Sequence, residues 1–231
     1  MYFSGDKRSR WWPNFCANLK KFFWYANQNF NYDDFYVSNS NYFAFKLIDT
    51  WPKWEKNIVN IYGEKYSGKS HLAEIFRQKY KALKFTENQL NNKFFKSLKL
   101  HENLILENYE NKTDEKLMYS LLNLVDQDNK YLIINSNIPL IKMNFKLSDL
   151  SSRAKNCILA EIKDPDDDLI FALILKNFSD MQIKIEKRLI DYIVKRIDRS
   201  YRKISNFIYK VDEISLKKKK SININIIKNL L

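Results

Sequence analysis

The sequence predicts an α/β fold, a parallel sheet flanked by helices, with a small all-α unit after it. Three observations lead there. Short apolar runs at residues 58–62, 104–106 and 131–134 alternate with helical patterns, the arrangement of parallel strands covered by helices on both faces. Beyond Asp164-Pro165-Asp166 only helical patterns follow, until an ambiguous run at 222–226. Between the first run and the helix after it stand two of only three glycines in the chain, Gly63 and Gly68.

Residues 1–30 are aromatic, basic and irregular, with Trp11, Trp12, Phe22, Phe23 and Trp24, and read as an N-terminal extension. A helix is expected over 39–50, capped by Asn39 or Ser40 and stopped before Trp51-Pro52. Ile58-Val59-Asn60-Ile61-Tyr62 is β-prone and ends at Gly63. After Lys69, Leu72, Ile75, Phe76, Lys79 and Leu83 fall on or near one helical face. Leu117, Leu121, Leu122 and Val125 mark an amphipathic helix between the second and third strand-like runs. These elements form a core over residues 31–163.

The remainder, 164–231, reads as a helical appendage behind a Pro-containing linker. Leu169, Ile170, Leu173, Ile174 and Phe178 mark one helix, and Leu189, Ile190, Ile193, Val194 and Ile197 a second. Ile204, Phe207, Ile208, Val211 and Ile214 mark a third. Residues 222–226 fit either a strand or the start of a last short helix. The run from Lys217 to Lys220 fits a solvated turn better than a binding patch. No internal repeat is present.

Composition narrows the function classes. The chain has 231 residues, enough to bury a sizeable core without disulfide or metal staples. An aromatic content of 15% argues against wholesale disorder. Its two cysteines, Cys16 and Cys157, form neither a disulfide framework nor a metal-ligand spacing. No apolar run approaches the ~20 residues of a membrane span, and the N-terminus lacks the apolar stretch of a secretory signal. A soluble protein in the cytoplasm is expected. The net charge of +13 suggests a polyanionic partner, but Lys, Asn and Ile are enriched along the whole chain, so much of the charge is compositional background.

The sharpest motif is Gly63-Glu64-Lys65-Tyr66-Ser67-Gly68-Lys69-Ser70, a full match to G-x-x-x-x-G-K-[ST], with a strand entering and a helix leaving. Glycines at this spacing let successive backbone N–H groups curl around phosphates, a lysine neutralises them, and the hydroxyl ligates Mg²⁺. The expected nucleotide-binding set is Gly63, Lys65, Ser67, Gly68, Lys69, Ser70 and His71, with ADP or ATP and Mg²⁺ as cofactors. The next run, Leu104-Ile105-Leu106, ends in Glu107-Asn108. Glu107 stands where an acid would join Ser70 on Mg²⁺. Asn108 stands where a second acid would activate water, and a carboxamide cannot serve as that base. Weak or absent autonomous hydrolysis follows.

Several further segments resemble the DnaA-related AAA+ family. Phe35-Tyr36-Val37-Ser38-Asn39-Ser40-Asn41 resembles the stretch before the P-loop in DnaA-type initiators. Trp51-Pro52-Lys53-Trp54, the P-loop with its following His-Leu-Ala, and the Glu107-Asn108 pair look closer to the Hda-type regulatory inactivators within that family. Asn135-Ser136-Asn137-Ile138-Pro139 is similar to the end of the sensor I strand, with Asn137 on the polar position and Ile138 replacing the usual Arg. Asp149-Leu150-Ser151-Ser152-Arg153 resembles box VII, with Arg153 as its arginine finger, although residues 154–157 depart from the pattern. Asp198-Arg199-Ser200-Tyr201-Arg202 resembles the sensor II helix, with Arg202 as the sensor arginine.

The resemblance implies an AAA+ core with a helical lid over residues 164–231, and nucleotide held between them. It implies a regulator that stimulates ATP hydrolysis by the DnaA initiator together with the DNA-loaded sliding clamp, with Arg153 acting in trans. The sequence ends at Leu231, where the lid should finish, so the resemblance implies only indirect contact with DNA. The family's clamp motif, a Gln with spaced apolar residues near the N-terminus, has weak counterparts in Leu19-Lys20-Lys21-Phe22-Phe23 and Gln28-Asn29-Phe30. Other readings stay open at this point: a DnaA-like or helicase-loader-like factor that binds DNA, membrane or partner proteins, or a stand-alone P-loop ATPase. Self-association is left open as well.

Overall fold

The computed structural model describes residues 32–218 and 224–231. The expectations for residues 1–30, and for Lys219 and Lys220 of the Lys217–Lys220 run, lie outside the described residues. Five strands, β1 (Ile58–Gly63), β2 (Leu83–Thr86), β3 (Asn103–Tyr109), β4 (Tyr131–Ser136) and β5 (Ile158–Ile162), form one sheet in the order β2-β3-β4-β1-β5. Every pairing is parallel. The first strand thus sits inside the sheet between β4 and β5. The loop leaving its C-terminal end opens into the crevice where such sheets bind ligands.

Strand periodicity explains the two-sided core. On β3 and β4, Leu104, Leu106, Leu132 and Ile134 face one apolar cluster, and Ile105 and Ile133 face the other. Helix α4 (Glu115–Gln127) contributes Met118, Leu121, Leu122 and Val125 to the first face, and α5 (Ser148–Ala154) adds Leu150 and Ala154. Helices α1 (Tyr42–Thr50) and α2 (Lys69–Tyr80) cover the second face, with Ala44, Leu47 and Ile48 from one and Leu72, Ile75 and Phe76 from the other. Each fully buried side chain of this size stabilises by roughly 1.5–3 kcal/mol, so these facing stripes account for most of the sheet's helical cover. A short helix, α3 (Phe95–Lys99), lies between β2 and β3.

Two strands differ from the sequence expectation. Leu83, expected on the face of the helix after the P-loop, begins β2 instead. The helix ends because Lys81 takes a left-handed conformation at φ 50° and its N–H closes on the Arg77 carbonyl. Leu83 and Phe85 then turn toward the core while Lys84 and Thr86 are solvent-facing or at the edge. Strand β5 lies outside the apolar runs that mark strands in the sequence, and its alternating Ile158, Ala160 and Ile162 pack on the second face. Helix α1 starts at Tyr42 with Asn41 at its cap, slightly later than expected.

Among the described residues, four helices follow β5: α6 (Asp167–Asp180), α7 (Lys187–Val194), α8 (Tyr201–Lys218) and α9 (Ile224–Lys228). Asp166 caps α6 by accepting the Leu169 N–H at 2.8 Å. Ile170, Ile174, Phe178, Ile190, Ile193, Phe207 and Val211 form a third apolar cluster. Of the ambiguous run at 222–226, the described residues 224–226 are helical, in α9. Leu169 and Tyr201 belong instead to the second cluster under the sheet, and so anchor the helical unit to the core. No helix among the described residues is long and apolar enough to cross a membrane.

Candidate nucleotide site

The P-loop links β1 to α2, and its backbone requires both glycines. Gly68 has φ 96°, in the left-handed region, and caps α2. A Cβ there would meet the Phe35 ring at 3.2 Å, and one on Gly63 would lie 2.6 Å from the Ile162 carbonyl on β5. The loop therefore lies tight against both the neighbouring strand and the segment before α1.

Lys69 is buried and donates its ammonium to the Gly63 and Glu64 carbonyls at 2.8 and 2.7 Å. Burial pushes its pKa down to about 8, while the negative charges of Glu107 and Glu64 pull it back up. One residue on, the Ser70 hydroxyl donates to Glu107 Oε2 at 3.1 Å, joining the P-loop to the end of β3. From β4, the Asn135 side chain donates to the Lys69 carbonyl at 3.1 Å.

Three buried atoms of this group have no hydrogen-bond partner among the described residues: Ser67 Oγ, Glu107 Oε1 and Asn135 Oδ1. Buried polar atoms are rarely left unpaired without a reason. Three around one phosphate-binding turn fit a polar, charged ligand. The donor set suits Mg²⁺ chemistry too: one hydroxyl and one carboxylate, with the remaining positions left to phosphate and water. Ser70 and Glu107 would hold that ion. Among the described residues there is no cluster of three or more His, Cys, Asp or Glu side chains able to hold a metal alone.

Beside the loop opens a cavity of about 520 Å³, lined by Phe35, Tyr66, Gly68, His71, Leu173 and Tyr201 among others. Phe35 meets the His71 ring edge-on at 5.2 Å and stacks on Phe45 at 5.8 Å. Asp34 pairs with Lys176 of α6 at 3.1 Å, so the segment before α1 bridges to the helical unit. Lys65 is exposed over the Tyr66 ring at 5.3 Å.

The acid-Asn pair sits on a register shift between Leu106 and Tyr109. Glu107 stays buried, whereas Asn108 adopts φ 52° and is exposed. Glu110 is exposed and ion-paired to Lys112. The loop beyond is pinned by Glu87, a buried carboxylate that accepts the N–H groups of Glu110, Lys112 and Thr113.

Asn137 is exposed just past β4 and makes no side-chain hydrogen bond among the described residues, whereas Asn135 reaches the P-loop. Arg202 is exposed in the first turn of α8, immediately after the cavity-lining Tyr201. Arg153 lies on α5, packed on the opposite face of the sheet from α2, so the fold does not bring it to this chain's own P-loop. It is ion-paired to Asp126 and lies 5.4 Å over the Tyr119 ring. Sequence reasoning missed Asn135, Glu64 and Phe35. Only Asn135 left a signal, as a polar residue ending an apolar strand.

No family model matches the chain. It is 23% identical to the chromosomal replication initiator protein DnaA of Thermoanaerobacter sp. (strain X514), over an alignment of 232 positions covering 89% of this chain and 52% of that protein. The chain thus spans about half the length of the curated relatives it matches. Domain III of the Thermotoga maritima replication initiation protein DnaA superposes with a TM-score of 0.69 at 16% identity, covering 89% of this chain and 96% of that one. AMPPCP-bound DnaA from Aquifex aeolicus gives 0.68 at 20% identity, covering 84% and 69%. The chain thus shares the fold of domain III of DnaA.

Proposed function

We propose that this protein binds ADP or ATP with Mg²⁺ and regulates replication initiation through a partner's ATPase site instead of through turnover of its own. The observation that carries the reading is the P-loop assembly: a buried Lys69, Ser70 bonded to Glu107, and three unpartnered polar atoms around them. Bound Mg²⁺ would neutralise phosphate charge. Lys69 would exchange its two carbonyl partners for phosphate oxygens, and Ser70 and Glu107 would orient the ion.

Asn108 supports weak turnover. It cannot take a proton from water, and it is exposed on the bulge at the end of β3. Hydrolysis stimulated in trans is then the fitting output, with the DnaA initiator as target, the sliding clamp as co-partner, and DNA contacted only indirectly. Arg153 supplies the guanidinium in this reading. Its ion pair with Asp126 would have to open for it to reach a neighbouring γ-phosphate. Arg202, at the start of α8, serves the nucleotide from the lid side, and the division into a core over 31–163 and a lid over 164–231 belongs to the same reading.

The test is single-turnover hydrolysis by ATP-loaded DnaA with clamp on DNA, comparing wild type with Arg153→Ala. Loss of stimulation on the order of 10³-fold is expected, as for arginine fingers in GTPases. Equal stimulation by both proteins removes Arg153 from the mechanism, and fast turnover by this protein alone removes the regulatory reading.

A further inference from the structure

One P-loop residue is engaged by the helical unit. The Glu64 carboxylate accepts the Ser200 hydroxyl through Oε1 and the Tyr201 N–H through Oε2, each at 2.7 Å. Ser200 occupies the cap of α8, since its carbonyl receives the Ile204 N–H and its hydroxyl the Lys203 N–H at 3.3 Å. The first N–H groups of a helix have no partner within it, and a carboxylate there gains from both hydrogen bonding and the helix dipole. The cap of α8 is therefore completed by a residue 136 positions earlier in the chain. The same residue's backbone carbonyl accepts the Lys69 ammonium at 2.7 Å. Glu64 thus holds the phosphate-binding lysine through its backbone and the lid helix through its side chain.

We propose that Glu64 is a positioning residue that sets Arg202 against the phosphate site. Arg202 follows directly on Tyr201, whose N–H Glu64 binds, and among the described residues the exposed Arg202 side chain has no hydrogen-bond or ion-pair partner to fix it. The Tyr201 hydroxyl is held by the Lys163 carbonyl at 3.1 Å and lies 3.5 Å from Ser40, and the Ser200 N–H donates to the Asp198 carbonyl at 2.8 Å, while the Tyr201 N–H goes to Glu64. The P-loop thereby controls how firmly the lid grips a nucleotide. The inference rests on the nucleotide-binding reading above.

The experiment measures dissociation of a fluorescent ADP from wild type, Glu64→Ala, Glu64→Gln, Arg202→Ala and the Glu64→Ala/Arg202→Ala double variant. Amide exchange of the α8 first turn is followed in the ligand-free proteins. Glu64→Ala is expected to speed release about tenfold and to add less than about twofold on the Arg202→Ala background, the signature of two residues acting as one unit. Glu64→Gln, which keeps length and one acceptor, should restore part of the effect, and the Tyr201 N–H should exchange faster in Glu64→Ala than in wild type. Unchanged release, or a full tenfold effect that persists without Arg202, overturns the proposal. A wild type that retains no ADP overturns the nucleotide reading instead. The clasp between Glu64 and α8 then stands or falls on the exchange of Tyr201 alone.

Discussion

Asn135, buried within β4, donates its side-chain amide to the backbone carbonyl of Lys69 at 3.1 Å, tying the strand beside β1 to the start of the P-loop helix. Its oxygen has no protein partner. Two residues later Asn137, the residue singled out by family resemblance, is exposed. The two asparagines point to opposite expectations under mutation.

Asn135→Ala removes the only side-chain donor to the Lys69 carbonyl among the described residues. The Lys69 carbonyl keeps its intrahelical partner, so stability should fall by only about 0.5–1.5 kcal/mol, the net worth of one hydrogen bond, and ADP should bind more weakly. Asn137→Ala should change stability by less than about 0.5 kcal/mol. Urea denaturation and ADP titration of both variants check this. A larger loss of ADP affinity in Asn137→Ala would return the sensor role to that residue.

The ammonium of Lys69 gives nucleotide binding a pH dependence. With its pKa lowered to about 8, the free protein is protonated there below pH 8 and loses that proton above it. Phosphate favours the charged form and raises the pKa in the complex, so above pH 8 binding must recover a proton. Affinity should therefore be flat from pH 7 to 8 and then fall by up to about tenfold per pH unit. ADP titrations across pH 7–10 test the sign, and affinity that rises above pH 8 would contradict the assignment of Lys69.

Gly63→Ala places a methyl group 2.6 Å from the Ile162 carbonyl. That atom belongs to the β5 backbone, which cannot move without disturbing its pairing with β1. A destabilisation of about 1–3 kcal/mol is expected from overpacking of this kind, together with loss of ADP binding. Thermal melts with and without ADP measure both, and a variant with wild-type stability would mean that the loop has room to relax.

Ser70→Ala and Glu107→Gln remove the hydroxyl and the charge that the structure pairs at 3.1 Å. If these two hold Mg²⁺, wild-type ATP affinity should drop on adding a chelator, and neither variant should respond to it. A chelator response retained in both variants would place the ion elsewhere.

Much of this architecture was legible because it depends on local pattern. The P-loop announces itself through glycine positions, and helices such as α4 and α6 through apolar residues at helical spacing. Leu83 misled because its spacing from Phe76 also suits a helix, and only the left-handed turn at Lys81 ends that helix first. The strand β5 was passed over because five residues carry too little periodicity to stand out. Glu107 was legible from its place at the end of a strand. That Asn108 leaves the sheet on a bulge was not, since a register shift is a property of two paired strands.

By itself the sequence determined the strand-loop-helix that can cradle a phosphate, the absence of a second acid after Glu107, and the separation of an α/β part from a helical one. These follow from residue chemistry and short-range spacing. Only tertiary structure decided that Asn135, not Asn137, touches the P-loop, that Arg153 is held by Asp126 on the far side of the sheet, and that Glu64 caps the helix α8. Each of those contacts joins residues from different elements of the fold. Their partners are chosen by sheet order and helix packing, which no local run of residues encodes.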